Sequence, residues 1–290
     1  MKIPSFITKM ALVALFAGIL VQSAVASAFF EKHFSGPNTQ HKHIHSKIVS
    51  DDFDVYIHFP ANYEAGNKKF PVLYLVDGEG DFSQAEEYFA SMMTAFHISE
   101  PIVVAITNGD SKAAELNHIN RDLTPSYVAD MPVSGGGPAF LGFMSYELIP
   151  YIDANFKTDA ENRTLYGYGM GGLFASYVLF QKPELFKNIL IDSPTLTYDN
   201  GVIFGLEKKY YASHLELNVN VLLQVPELET PEQKASFQKM VDVLKQRHYL
   251  NLNLNASVIS NATHITGKSV TMFRALSWAY IKQKEMLSGL

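Results

Sequence analysis

Arg163-Thr164-Leu165-Tyr166-Gly167-Tyr168-Gly169-Met170-Gly171-Gly172-Leu173-Phe174-Ala175 reads as a strand that runs into a tight glycine-flanked turn and then into a helix. Gly167 and Gly171 stand at the outer glycines of a G-x-S-x-G pattern, where small residues let strand and helix approach closely. The middle of that pattern normally carries a nucleophilic side chain held in a strained, exposed conformation. Here the middle residue is Gly169. A glycine-rich turn also fits a plain strand-to-helix connection or a dinucleotide fingerprint. Against the fingerprint, this strand is the fifth or sixth of the chain, whereas the fingerprint opens a βαβ unit near its start.

Outward from the turn, strands and helices alternate. On the N-terminal side, His41 to Pro60 reads as two alternating strands, an antiparallel start to a sheet. Pro71–Val76 and Pro101–Ile106 are continuous apolar runs, which suits strands covered on both faces. Asp81–Phe96 between them, and Ala139–Phe156 after them, have helical spacing, with Pro150 expected to kink the second. On the C-terminal side follow Met170–Gln181, Phe186–Ile191, Leu217–Val225, Pro231–Arg247, Leu252–Ile259 and Ser269–Glu285. This rhythm predicts an α/β fold with a mainly parallel central sheet, an antiparallel N-terminal start and helices on both faces. Asn108–Pro138 and Thr195–Tyr211 read as long loops, of the kind that border binding sites.

Composition narrows the function classes. Hydrophobic residues make up 47% of the 290 residues and charged residues 18%, the balance of a chain with a large core and not of a disordered one. A formal net charge of −6 gives no reason to expect nucleic acid as a partner. Lys2 and Lys9, the apolar run Met10–Val21 and the small residues Ala24-Val25-Ala26 or Ala26-Ser27-Ala28 have the form of a secretory signal. Residues 1–28 are therefore expected to be a cleaved signal peptide, with 29–290 as one domain, exported to the periplasm or secreted and without a stable membrane anchor. The chain has no cysteine, so neither disulfides nor a lipidated cysteine are expected.

Several segments together resemble the putative-esterase family of the α/β-hydrolase superfamily, which includes siderophore esterases, feruloyl esterases, S-formylglutathione hydrolases and mycolyltransferases. They are Val55–Pro60, Phe70–Gly78, Asn120-Arg121-Asp122-Leu123-Thr124-Pro125, Glu147–Ile152, the glycine turn itself and Asp192-Ser193-Pro194. The resemblance implies an α/β-hydrolase fold and places the family's serine at Gly169, and the residue before it, often histidine, at Tyr168. It places the catalytic histidine at His264, in a loop after the last strand, as general base and then acid. The acid member follows the strand that ends near Val225. Glu229 is preferred, with Glu227 as the alternative, to fix the histidine tautomer. The oxyanion hole is expected from the backbone N–H groups of Met170 and Glu79.

No other hydroxyl replaces the serine convincingly. Ser176 lies well along the helix, Tyr168 is expected to point away from the elbow's central direction, and the family counterpart of Ser193 is not the nucleophile. Two chemical expectations follow. Either the chain keeps a cleft and binds a small-molecule ester, acyl or siderophore-like ligand without cleaving it, or water activated by His264 hydrolyses the ligand slowly. A partner-binding protein with no small-molecule ligand is a third possibility. His41, His43 and His45 share one strand face, but alternation on an exposed face explains them better than a metal. No cofactor and no metal are expected. Asn162, Asn255 and Asn261 begin N-x-S/T triplets that decide nothing.

Overall fold

The computed structural model describes residues 38–96, 98–107 and 118–288. The expected signal peptide and the start of the expected mature domain lie outside these residues, as does the stretch 108–117 of the first long loop. Eight strands form one sheet: β1 (Thr39–Ser46), β2 (Asp51–His58), β3 (Phe70–Leu75), β4 (Ile102–Thr107), β5 (Thr158–Tyr168), β6 (Asn188–Asp192), β7 (Glu216–Pro226) and β8 (Leu250–Ile259). Their order across the sheet is β1-β2-β4-β3-β5-β6-β7-β8. β1 pairs antiparallel with β2, and β2 with β4; every later pairing is parallel.

The helices are α1 (Gly78–Phe96), α2 (Gly137–Phe143), α3 (Ile149–Asn155), α4 (Met170–Gln181), α5 (Tyr198–Tyr211), α6 (Pro231–Arg247) and α7 (His264–Ser288). The apolar runs are continuous because both sheet faces are covered. Val72, Tyr74 and Val76 enter the core formed with α2, α4, α5 and α6, while Leu73 and Leu75 enter the core formed with α1 and α7. Adjacent strand residues thus face opposite apolar layers. α4 is buried from Gly171 to Phe180, which is why its sequence lacks a polar face.

The expected helix Ala139–Phe156 is two helices joined by a π-helical turn, Met144–Leu148. That turn stands directly before Pro150, whose ring displaces the carbonyl a turn earlier and whose nitrogen has no proton to donate. Thr195–Tyr211, expected as a loop, is mostly α5. Asp199, Asn200 and Gly201 have φ of 45°, 55° and 76°, and this left-handed break hides the helical pattern behind it. The helix is anchored from the other side by Glu207, which is buried and accepts from Arg247 Nε at 2.9 Å and Tyr249 Oη at 2.9 Å. α7 begins at His264, five residues before the expected Ser269.

Candidate active site

The turn between β5 and α4 has the geometry its glycines require. A Cβ added to Gly167 would lie 2.1 Å from the carbonyl oxygen of Gly171, a distance no side chain tolerates. Gly169 has φ 57° and ψ −112°, a conformation that L-residues avoid and nucleophile elbows adopt. It is pinned on both sides. Gly169 N–H donates to Asp192 O at 3.0 Å, while its carbonyl accepts from Leu173 N–H at 3.0 Å and Thr195 N–H at 3.1 Å.

His264, on the first residue of α7 and not in a loop as expected, faces this turn. Among the described residues, a Cβ built on Gly169 would meet His264, at 3.5 Å from Nε2 and 3.6 Å from Cε1. The other ring nitrogen, Nδ1, lies 2.5 Å from Glu229 Oε1. Glu229 is buried, just beyond the C-terminal end of β7. Glu227 is exposed and turns elsewhere, accepting from the backbone N–H of Asn261 at 2.8 Å. Of the two candidate acids, only Glu229 touches the imidazole. With Nδ1–H donated to that carboxylate, the neutral ring presents its Nε2 lone pair to the space above Gly169.

Sequence reasoning did not see the part played by Ser193. Its Oγ donates to Glu229 Oε1 at 2.5 Å and stands 3.1 Å from His264 Nδ1. Its backbone φ is 43°, a strained value for serine that places the hydroxyl between acid and base. Buried behind the imidazole, Ser193 holds the carboxylate and does not face the open side of the site. The signal for it was Asp192-Ser193-Pro194, quoted for the resemblance without a role. Tyr168 does not point away either. Its hydroxyl donates to the carbonyl oxygen of His264, and its ring lies 4.9 Å from the imidazole. Burial pushes the Tyr168 phenol up, so it remains a neutral donor. Ser176 donates to Gly172 O at 2.8 Å inside α4 and plays no part here.

The two expected oxyanion donors belong to neighbouring helix starts. Met170 opens α4 after β5, and Glu79 is the second residue of α1 after β3. Because β3 and β5 are adjacent and parallel, the free N–H groups of these first turns stand at the same end of the sheet. Arg121 and Asp122, quoted for the resemblance without a role, join His118 and Asp51, which were not singled out, in a cluster that braces this end. His118 is bonded to Asp122 through Nδ1 at 2.8 Å and to Val76 O through Nε2 at 3.1 Å. Arg121 bridges Asp122 and Asp51 at 2.7 and 2.6 Å, and these carboxylates raise its pKa further.

A buried acidic pair underlies the site. Lys268, one turn beyond His264, makes an ion pair with Asp81 at 2.8 Å. Burial pushes the Asp81 carboxyl up to about 6, against the pull of Lys268. Burial likewise pushes Asp192 up to about 7, although Gln224 Nε2 donates to it at 2.9 Å. The three histidines of β1 form a ladder with carboxylates of β2. Asp54 meets His41 at 2.7 Å and His43 at 3.0 Å, and Asp52 meets His45 at 2.8 Å.

Known proteins resemble this chain in sequence and in fold. The family model described as "Putative esterase" matches residues 46–264. The chain is 23% identical over 272 residues to the ferri-bacillibactin esterase BesA of Bacillus subtilis, covering 85% of this chain and 91% of that protein. It is 29% identical over 163 residues to a siderophore triacetylfusarinine C esterase of Aspergillus fumigatus, covering 54% of this chain and 56% of that one. The crystal structure of the BES protein from Bacillus cereus superposes with a TM-score of 0.75 at 23% identity, covering 85% of this chain and 97% of that one. The chain belongs to the putative-esterase family of the α/β-hydrolase superfamily.

Proposed function

We propose that this chain is an exported member of the family that binds an ester, acyl or siderophore-like ligand and cleaves it very slowly or not at all. One observation carries the reading: an acid–base pair, Glu229 and His264, is assembled and aimed at a residue with no side chain, Gly169. Without a nucleophile the covalent route is closed, and removal of a triad serine typically leaves about 10³ to 10⁴ over water from binding and the oxyanion hole. The ligand class is taken from the two relatives, whose names specify siderophore esters. Export rests on the composition of residues 1–28.

The test is to incubate the purified protein with ferri-bacillibactin and with ferric triacetylfusarinine C. The quenching of Trp278, the one tryptophan of the chain, gives a binding isotherm, and chromatography of the mixture follows the ester. Saturable binding with return of the intact ester supports the proposal. Rapid appearance of cleaved fragments, lost in His264→Ala, makes the protein an esterase by another route. No binding of either compound removes the siderophore-like ligand from the reading.

A further inference from the structure

We infer that the space above Gly169 seats the hydroxyl of a small alcohol, and that His264 transfers an acyl group from an ester directly to it, without an acyl-enzyme. The inference rests on the reading that Gly169 stands at the nucleophile position. Among the described residues, and apart from Tyr168 and Met170 beside it in the chain, a Cβ built there has within 4 Å just Nε2 and Cε1 of His264. An unattached hydroxyl must keep van der Waals distance from the Gly169 backbone, so its oxygen settles near the place of the missing hydroxyl and its carbon points outward. That direction is open, because the His264 side chain is 44% exposed. Nδ1 is committed to Glu229, which leaves Nε2 as the acceptor for the alcohol's proton.

The step balances without any further reactant. The alcohol's O–H breaks toward Nε2 while its oxygen bonds to the ester carbonyl carbon. The carbonyl oxygen carries the charge, facing the N–H groups of Met170 and Glu79. The original C–O bond then breaks, and the leaving alcohol takes the proton back from Nε2. One ester and one alcohol enter, and one ester and one alcohol leave. Water competes for the same place, but an alcohol's carbon gains contact with the surrounding groups that water lacks. The neighbouring Tyr168 ring, 4.9 Å from the imidazole, offers such a surface. The class of ligand that fits is therefore an acyl ester presented with a primary hydroxyl, on a second molecule or on the same one.

The experiment uses the full chain, p-nitrophenyl acetate and methanol, with nitrophenolate read by absorbance and methyl acetate by gas chromatography. Nitrophenolate release is expected to rise with methanol and saturate, by roughly 100-fold, the lower end for a positioned base. Methyl acetate is the expected product. His264→Ala removes the base and Gly169→Ala fills the seat with a methyl group, so both abolish the methanol effect, with their melting curves checked for folding. Should Gly169→Ala fail to fold, His264→Ala and saturation by methanol still decide the matter. A wild type blind to methanol overturns the inference, as does methyl acetate formed equally by His264→Ala. Gly169→Ser run alongside separates the two readings. If it hydrolyses the ester while wild type ignores methanol, this inference alone fails; if it too is inert, the assignment of Gly169 fails with it.

Discussion

Gly169→Ser returns a hydroxyl to a site whose other members are in contact, and its effect on both stability and rate follows from the geometry. The Cβ finds room, since its nearest neighbour among the described residues beyond the adjoining chain is His264 Nε2 at 3.5 Å, and one C–O bond further the hydroxyl reaches hydrogen-bonding distance of that nitrogen. The cost lies in the backbone. A non-glycine residue held at φ 57° stores about 1–3 kcal/mol of strain. Loss of glycine's freedom in the unfolded chain offsets about 0.4–1 kcal/mol of this. A net loss of about 1–2 kcal/mol corresponds to a fall in Tm of roughly 2–8 °C for a domain of this size. The gain in rate is bounded by what a serine contributes to a triad, about 10⁶. We expect at least 10³, about 4 kcal/mol of transition-state stabilisation. The assay is p-nitrophenyl butyrate hydrolysis, paired with labelling by a fluorophosphonate and intact-mass measurement. The variant is expected to take one label at residue 169 and wild type none. A folded Gly169→Ser protein that takes no label and stays within tenfold of wild type would refute the reasoning, because it would mean Nε2 is not aimed at that hydroxyl.

In the Gly169→Ser background, Glu229→Gln keeps the size of the acid but not its charge; kcat is expected to fall about 10³- to 10⁴-fold with little change in KM, whereas Glu227→Gln changes neither by more than a few-fold. Global stability is expected to decline as pH rises. Burial has lifted Asp192 to about 7, so the native state holds a proton that the unfolded chain releases near its ordinary carboxylate pKa; stability falls between the two, by up to about 4 kcal/mol. His58 adds an upper limb: burial opposes its charge, but hydrogen bonds to Glu100 and Glu86 outweigh this and raise it to about 9. Its contribution is full below about 6.5 and is lost as pH passes 9, by about 3 kcal/mol. Urea unfolding from pH 4 to 10 measures both limbs. Asp192→Asn should flatten the lower and His58→Gln the upper, and curves unchanged by either substitution would show that neither group titrates as stated.

Much of the fold was legible because its signals are local and periodic. Val72–Leu75 and Ile102–Ile106 are apolar at every position, and only a sheet covered on both faces buries such a run. The boundaries of α4 and α6 were legible for a similar reason: Gly169 and Thr230 mark their starts, Thr230 by accepting from Gln233 N–H at 3.2 Å. α5 was not, because Asp199-Asn200-Gly201 is turn chemistry and its helix is secured by Glu207, Arg247 and Tyr249, partners about 40 residues away. The start of α7 was missed because Ser260–Thr266 is mostly polar and its one large apolar residue, Ile265, is exposed, so no apolar face marks the first turn. There the helix is held by Thr263, whose Oγ1 accepts from Thr266 N–H at 3.2 Å. Pairing His264 with an acid needed the family pattern, and choosing Glu229 over Glu227 needed coordinates. Ser193 and Tyr168 gain their places from the packing of four separate elements, which no spacing in the sequence encodes.

The elbow keeps its shape here without the residue it is shaped to display, which locates the origin of that shape. Gly169 could relax to many backbone conformations at little cost, yet it holds φ 57°. What fixes it is external: its N–H bound to Asp192 O, its carbonyl shared by Leu173 and Thr195, and the contact of Gly167 with the Gly171 carbonyl that excludes any side chain. The strain associated with a nucleophile elbow is therefore imposed by β6 and α4 on whatever stands at the turn. Glycine adopts that conformation almost free of charge, while serine would store energy in it. On the proposed reading, glycine at this place forgoes covalent catalysis and is about 1–2 kcal/mol more stable there than serine, with the base, its acid and the helix starts left in place for a ligand. The same logic makes Gly169→Ser a clean test, since the conformation needed for catalysis does not depend on the side chain being introduced.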